Sequence, residues 1–219
     1  MPNNKRAILW DLDGTIVDTY AGHLQTWENA LEAYGYQLDR ALFVEQFGRN
    51  NASLLPALLG FEPEPDLMKK IIEAKERLFL EISAEWITLV PGVTSWLGAA
   101  AGLNYTQAIA SSAPMDNIRS MLAVHDLEGH FASLVSGSNL PAKPEPDVFL
   151  RAADILQVPK ENCLVIEDSV AGVAGAKQAG MRCIAVTTTW PSNKLSQADL
   201  VVDDFTMPLI ECLRALNWT

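Results

Sequence analysis

Two short acidic motifs carry the first suggestion of chemistry. Asp11-Leu12-Asp13-Gly14-Thr15 directly follows the apolar run Ala7-Ile8-Leu9-Trp10, and Glu167-Asp168-Ser169 directly follows Cys163 to Ile166. Side chains at i and i+2 on a chain leaving a strand can face one cleft while the turn curls around them. Asp11 is therefore a candidate nucleophile, since a carboxylate can attack phosphorus and form an acyl-phosphate. Asp13 is a candidate general acid/base, protonating a leaving oxygen and then activating water. Gly14 permits the tight turn. Carboxylates from two different strand ends suit Mg²⁺, a hard cation that takes oxygen ligands. Ser111-Ser112-Ala113-Pro114 ends another apolar strand, where a hydroxyl beside the free amides of a following helix makes a phosphate site. In Lys143-Pro144-Glu145-Pro146-Asp147 the prolines stiffen the loop, so the ammonium can bridge a nucleophilic aspartate and a phosphate.

Each motif also has a plainer reading. Asp11 to Thr15 reads as a capped Asp-Gly turn, Ser111 to Pro114 and Asp168-Ser169 as helix N-caps, and Lys143 as a solvated lysine. Together the plainer readings strain, because all four features end apolar runs or open helices, and ligands bind at the carboxyl ends of strands in doubly wound sheets. A nucleophile, a proton shuttle, metal ligands and charge clamps are the set that metal-assisted phosphoryl transfer needs.

The elements that must position these residues are legible as patterns. Ala7 to Trp10, Ala108 to Ala110, Cys163 to Ile166, Cys183 to Val186 and, more weakly, Leu200 to Val202 are the continuous apolar runs expected of parallel strands buried on both faces. Val148 to Leu156 and Val170 to Ala179 read as helices between them, the second stopping at Gly180. This alternation predicts an α/β fold: a Rossmann-like, doubly wound parallel sheet. Thr19 to Thr88 is different, helix-like with breaks at Gly35, Gly48 to Asn51 and Glu62 to Pro65. It predicts an inserted α-helical cap over 19–88 on a core of 1–18 and 89–219, with no flexible linker and hence a close hinge.

Composition bounds the function. The chain has 219 residues, of which 49% are hydrophobic and 20% charged, and a net charge of −11. That is an ordinary globular mix, and its acidity excludes a nucleic-acid or anionic-membrane partner, both of which need a basic footprint. Glu85 to Asp116 holds no charge between its ends, but polar residues and Pro91 interrupt it and no run is long enough to span a bilayer. Three widely spaced cysteines and a polar start predict a reduced, cytoplasmic setting, with the chain a monomer or weak homodimer.

These motifs resemble the haloacid dehalogenase superfamily, and the match spans nearly the whole chain. It rests on Asp11-Leu12-Asp13-Gly14-Thr15-Ile16-Val17-Asp18, Ser111, Lys143-Pro144, and Glu167-Asp168-Ser169 with Gly172, Ala179 and Gly180. The insertion is similar to the helical cap of the beta-phosphoglucomutase and phosphoglycolate phosphatase branch. The resemblance implies that Asp11 is the nucleophile and a Mg²⁺ ligand. Asp13 is implied as the acid/base, with its backbone carbonyl on the metal. Ser111 and Lys143 are implied phosphate ligands, Asp168 a metal ligand, and Glu167 a ligand or an outer partner; Ser112, next to Ser111 in its motif, is a further phosphate-binding candidate. It speaks against dehalogenation, which lacks the second aspartate, and against phosphonate cleavage. Trp10 and Ala142 depart from the commoner phenylalanine and glycine.

In the cap, His23 and Trp27 match the mutases' His-x-x-x-Trp, and Lys75 with Phe79 their Lys-x-x-x-aromatic. In those mutases the histidine and lysine couple cap closure to the acid/base. A locally paired histidine and a solvated lysine are the plainer alternatives. The mutases place an arginine at the position of Asn51, whereas Arg49 here follows Gly48 and is a candidate grip for an anionic substrate. The reading is a Mg²⁺-dependent phosphatase of small phosphorylated metabolites, sugar phosphates first. The alternatives are a beta-phosphoglucomutase-like phosphohexomutase and, more remotely, a non-catalytic binding relative. The last would be expected to lose Asp11, Asp13, Lys143 or Asp168, and all four are present.

Overall fold

The computed structural model describes residues 5–218, with residues 82–85 described by their backbone alone. Strand β1 (Ala7–Trp10) leads through the Asp11–Thr15 turn into the short strand β2 (Val17–Asp18). Four helices follow: α1 (Tyr20–Ala33), α2 (Arg40–Gln46), α3 (Asn51–Leu59) and α4 (Pro65–Trp86). Their breaks fall where the sequence places them, and Gly35 and Gly60 adopt positive φ just past α1 and α3. Strand β3 (Thr88–Leu89) returns antiparallel beside β2, so the helical insertion enters and leaves through one narrow two-stranded neck. The sequence reading lacks this pair, because two residues per strand produce no periodicity.

The remainder alternates: α5 (Val93–Gly102), β4 (Thr106–Ser111), α6 (Met115–Val124), β5 (Ser133–Ser136), α7 (Asp147–Leu156), β6 (Cys163–Glu167), α8 (Val170–Gln178), β7 (Arg182–Val186), β8 (Leu200–Val202) and α9 (Leu209–Ala215). One six-stranded parallel sheet results, ordered β5-β4-β1-β6-β7-β8. β5 is the strand that the sequence reading lacks: Ser133-Leu134-Val135-Ser136 is short, polar at both ends and half-buried at the sheet edge. Pro114 stands one residue ahead of α6, as its cap rather than its first helical residue.

Period-two alternation sends the strand side chains to opposite faces. Ile8, Trp10, Ile109, Leu164 and Ile166 pack with α5, α6 and α9, while Leu9, Ala108, Ala110, Val165 and Cys183 pack with α7 and α8. The smaller residues on the second face let α8, rich in Gly and Ala, approach closely. The inserted helices have their own apolar cluster around Trp27, Leu31, Phe43, Leu55 and Ile71. Fully burying side chains of this size stabilises by about 1.5–3 kcal/mol each, so the insertion has a core largely its own, while Phe79 of α4 joins the sheet's cluster. Among the described residues, no helix is long and apolar enough to cross a membrane.

Candidate active site

Asp11 leaves the carboxyl end of β1, at the point where the sheet order turns from β4 on one side of β1 to β6 on the other. Its amide still donates to Ile166 O at 2.9 Å, which extends the sheet ladder by one residue. The chain then folds tightly: the Ile16 and Val17 amides donate to Leu12 O, and Gly14 takes φ +80°. A side chain at Gly14 would strike the Asp168 carboxylate. Glycine is thus required there both by conformation and by the close approach of the second acidic motif.

Lys143 joins the motifs. Its Nζ donates to Asp11 Oδ1 at 2.5 Å and to Glu167 Oε1 at 2.7 Å, and the side chain is buried. Glu167 Oε2 accepts from the amides of Asp168 and Ser169 at 2.8 and 2.7 Å and from the Ser169 hydroxyl at 2.9 Å. Ser169 in turn caps α8 by accepting from the Gly172 amide. A Cβ at Gly172 would overlap the Glu167 carboxylate, which explains the glycine in the motif. Both Glu167 oxygens are therefore engaged by donors.

Asp168 differs. Oδ1 accepts from Thr15 Oγ1 at 2.9 Å, while Oδ2 is buried with no hydrogen-bond partner. Burial, then the neighbouring Glu167 and Asp11, push its carboxyl above the ordinary range. Burial is also the largest influence on Asp11; Lys143 lowers it, Glu167 raises it, and the balance reaches about 8. Burial alone would lower Lys143, but Asp11 and Glu167 outweigh it and hold the ammonium above its ordinary value. Three buried carboxylates thus lie close together, and the one ammonium among them, Lys143, pairs with Asp11 and Glu167 and leaves Asp168 without a cation. An orphaned carboxylate oxygen, an excess of negative charge and an all-oxygen donor set fit a hard divalent cation held by Asp11 and Asp168.

Asp13 faces the inserted helices. Its Oδ1 accepts from Thr19 Oγ1 at 2.6 Å and lies 2.9 Å from His23 Nε2. Burial works to raise this carboxyl, but His23, through its proximity and hydrogen bond, and the Thr19 hydrogen bond outweigh it, leaving a net lowering, while burial and the Lys75 charge lower His23 itself. His23 and Trp27 lie one turn apart on α1, as do Lys75 and Phe79 on α4, so the two pairs meet across the helix interface. The His23 ring stacks on Phe79 at 4.2 Å. Lys75 is 1% exposed, not a solvated helix residue, and its Nζ reaches Glu76 Oε1 at 2.8 Å.

One cavity brings these groups together. Asp11, Asp13, Ser111 and Ser112 line it from the sheet side; His23, Arg49, Lys75 and Glu76 line it from the inserted helices. Trp27, Phe43, Phe47 and Leu54 form its apolar wall. Ser111 Oγ accepts from the Ala113 amide at 3.1 Å, and Ser112 Oγ donates to Gly48 O at 3.0 Å. Arg49 is exposed at the rim. Lys143, Glu167 and Asp168 stand behind Asp11 rather than in the cavity wall. Glu76 is the residue that sequence reasoning missed: it is one acid among many charged residues on α4, and only its adjacency to Lys75 could have singled it out.

With this geometry in view, similarity to known proteins becomes informative. The family profile for haloacid dehalogenase-like hydrolases matches residues 8–186. The chain is 30% identical to the beta-phosphoglucomutase of Bacillus subtilis (strain 168), over 94% of this chain and 93% of that one. It is 30% identical to the fructose-1-phosphate phosphatase YqaB of Escherichia coli (strain K12), over 82% of this chain and 95% of that one. The crystal structure of the Clostridium difficile beta-phosphoglucomutase superposes with a TM-score of 0.88 at 23% identity, covering 97% of both chains, a likeness of fold. From its motifs, its sheet and its inserted helical cap, the chain belongs to the haloacid dehalogenase-like hydrolases.

Proposed function

We propose that the protein is a Mg²⁺-dependent phosphatase of small phosphorylated metabolites, sugar phosphates first. The observation that carries this reading is Asp11 and Asp13 in one cavity, with Lys143 bonded to the first and His23 to the second. Asp11 attacks phosphorus, forming the Asp11–phosphate bond as the ester P–O bond breaks. Asp13 delivers a proton to the departing oxygen and then takes one from the water that releases phosphate. The Thr19 and His23 bonds hold its carboxylate in place. Ser111, Ser112 and the amides opening α6 hold the phosphoryl oxygens, and Lys143 fixes Asp11. Asp11, Asp168 and the Asp13 carbonyl would hold Mg²⁺, which supplies the positive charge that keeps Asp11 ionised and shields the incoming phosphate. Glu167 serves as an outer partner that positions Lys143.

Residues 19–88 act as the cap that closes over the substrate and excludes water. Hydrogen bonds from Ser112 to Gly48 and from Asn50 Nδ2 to Leu140 O at 3.2 Å support a closed arrangement. All of the proposed parts come from one chain, which suits a monomer or weak homodimer with neither nucleic acid nor membrane as partner. Three buried free cysteines support a reducing, cytoplasmic setting.

The His23–Asp13 bond beside Lys75 also favours a second reading, a phosphohexomutase. Against it, Asn51 stands where the mutases carry arginine, and it is engaged with Glu76. Supplying glucose 1-phosphate anomers with Mg²⁺ separates the two. The phosphatase releases inorganic phosphate; accumulation of glucose 6-phosphate instead establishes the mutase, and neither product from any sugar or aryl phosphate refutes both.

A further inference from the structure

Glu76 lines the same cavity as Asp11 and Asp13. Its Oε1 accepts from Lys75 Nζ at 2.8 Å and from Asn51 Nδ2 at 2.5 Å, and its Oε2 accepts from Asn117 Nδ2. Asn117 belongs to α6, beneath the cap, and is 1% exposed. The carboxylate is therefore gripped from both sides of the cleft and cannot swing away. A carboxylate offers about four acceptor sites; three are filled here, and the free one lies on Oε2. Burial alone would raise this carboxyl, but Lys75, with the hydrogen bonds it shares with Asn51, holds it below the ordinary range, so it is ionised at neutral pH.

Among the cations that the inserted helices bring to the cavity, Arg49 at the exposed rim is the one left unpaired among the described residues to meet a second anion. Lys75 is paired with Glu76, and its ammonium sits over the Phe79 ring at 4.9 Å. Ala113 and Pro114 supply no side-chain donor from the sheet side.

We propose that Glu76 is a specificity-determining residue: its free lone pair accepts a hydrogen bond from a hydroxyl of the leaving group, and its fixed charge turns away a leaving group that carries a second anion. Resting on the phosphatase reading above, this narrows the substrate class to hydroxylated monophosphates that are neutral beyond their one phosphate. Bisphosphates and phosphorylated carboxylic acids are rejected.

The test compares kcat/KM for fructose 1-phosphate and fructose 1,6-bisphosphate, with 4-nitrophenyl phosphate as an ester lacking hydroxyls. The wild type should prefer the monophosphate by about a hundredfold, and Glu76→Gln should shrink that ratio about tenfold, since a site built around a polar contact discriminates through it. Glu76→Asp, which keeps the charge on a shorter stem, should retain rejection of the bisphosphate while KM for the monophosphate rises. A merely structural role would move all three esters together. A wild type that hydrolyses both fructose esters equally well overturns the inference without any variant, as does an unchanged ratio in Glu76→Gln. In either case, continued turnover of 4-nitrophenyl phosphate leaves the phosphatase reading standing. Failure to hydrolyse any ester overturns both.

Discussion

Asp11 and Asp13 are two residues apart in the chain and live in opposite surroundings. Asp11 shares one buried ammonium with Glu167 and is driven up by burial and neighbouring acid. Asp13 is wrapped by Thr19 and His23 and driven down. These directions run opposite to the proposed tasks, so Mg²⁺ beside Asp11 would have to bring that carboxyl down for attack, and the phosphate ester beside Asp13 would have to bring this one up for proton delivery. Asp13→Asn should therefore lower kcat by about 10²–10⁴-fold while Mg²⁺ affinity, read by isothermal calorimetry, stays near that of the wild type, because only the backbone of residue 13 is proposed to touch the ion. Collapse of metal affinity in that variant would break the assignment. Asp11, Asp13, Ser111, Lys143 and Asp168 could be read from the sequence because each ends a strand or opens a stiff loop. Glu76 could not. Its meaning comes from Asn51 and Asn117, which lie 25 and 41 residues away and meet it only in the fold.

Among the elements, the turn from β6 into α8 carries the most constraint. Glu167 closes it by accepting two backbone amides and a hydroxyl, and Gly172 makes room for the Glu167 carboxylate. Gly172→Ala should cost about 1–3 kcal/mol through forced displacement, read as a lower urea midpoint, and should also reduce turnover because Glu167 holds Lys143. A variant of wild-type stability and activity would show that the turn yields freely. The central strands were legible as unbroken apolar runs because both of their faces are buried. The edge strand Ser133–Ser136 and the neck strands Val17–Asp18 and Thr88–Leu89 were not. They are short and partly exposed, and their pairing is decided by tertiary contacts rather than by pattern.

For the whole molecule, the net charge of −11 is the relevant quantity. Such a field repels a phosphate ester, and Asp11, Asp13, Glu76, Glu167 and Asp168 concentrate part of it in and behind the cleft. A divalent cation beside Asp11 and Asp168, with Lys143 and the α6 amides, would reverse the sign locally. Chelation with EDTA should therefore remove activity by at least about a hundredfold, and added Mg²⁺ should restore it; full activity in chelator would refute the metal-dependent reading. The central claim is the covalent step on Asp11. The direct measurement is acid-quenched single turnover with a ³²P-labelled sugar phosphate, followed by peptide mapping. The account predicts a hydroxylamine-labile label on the peptide bearing Asp11, absent in Asp11→Asn together with turnover. Label on another residue, or undiminished turnover in Asp11→Asn, would contradict it.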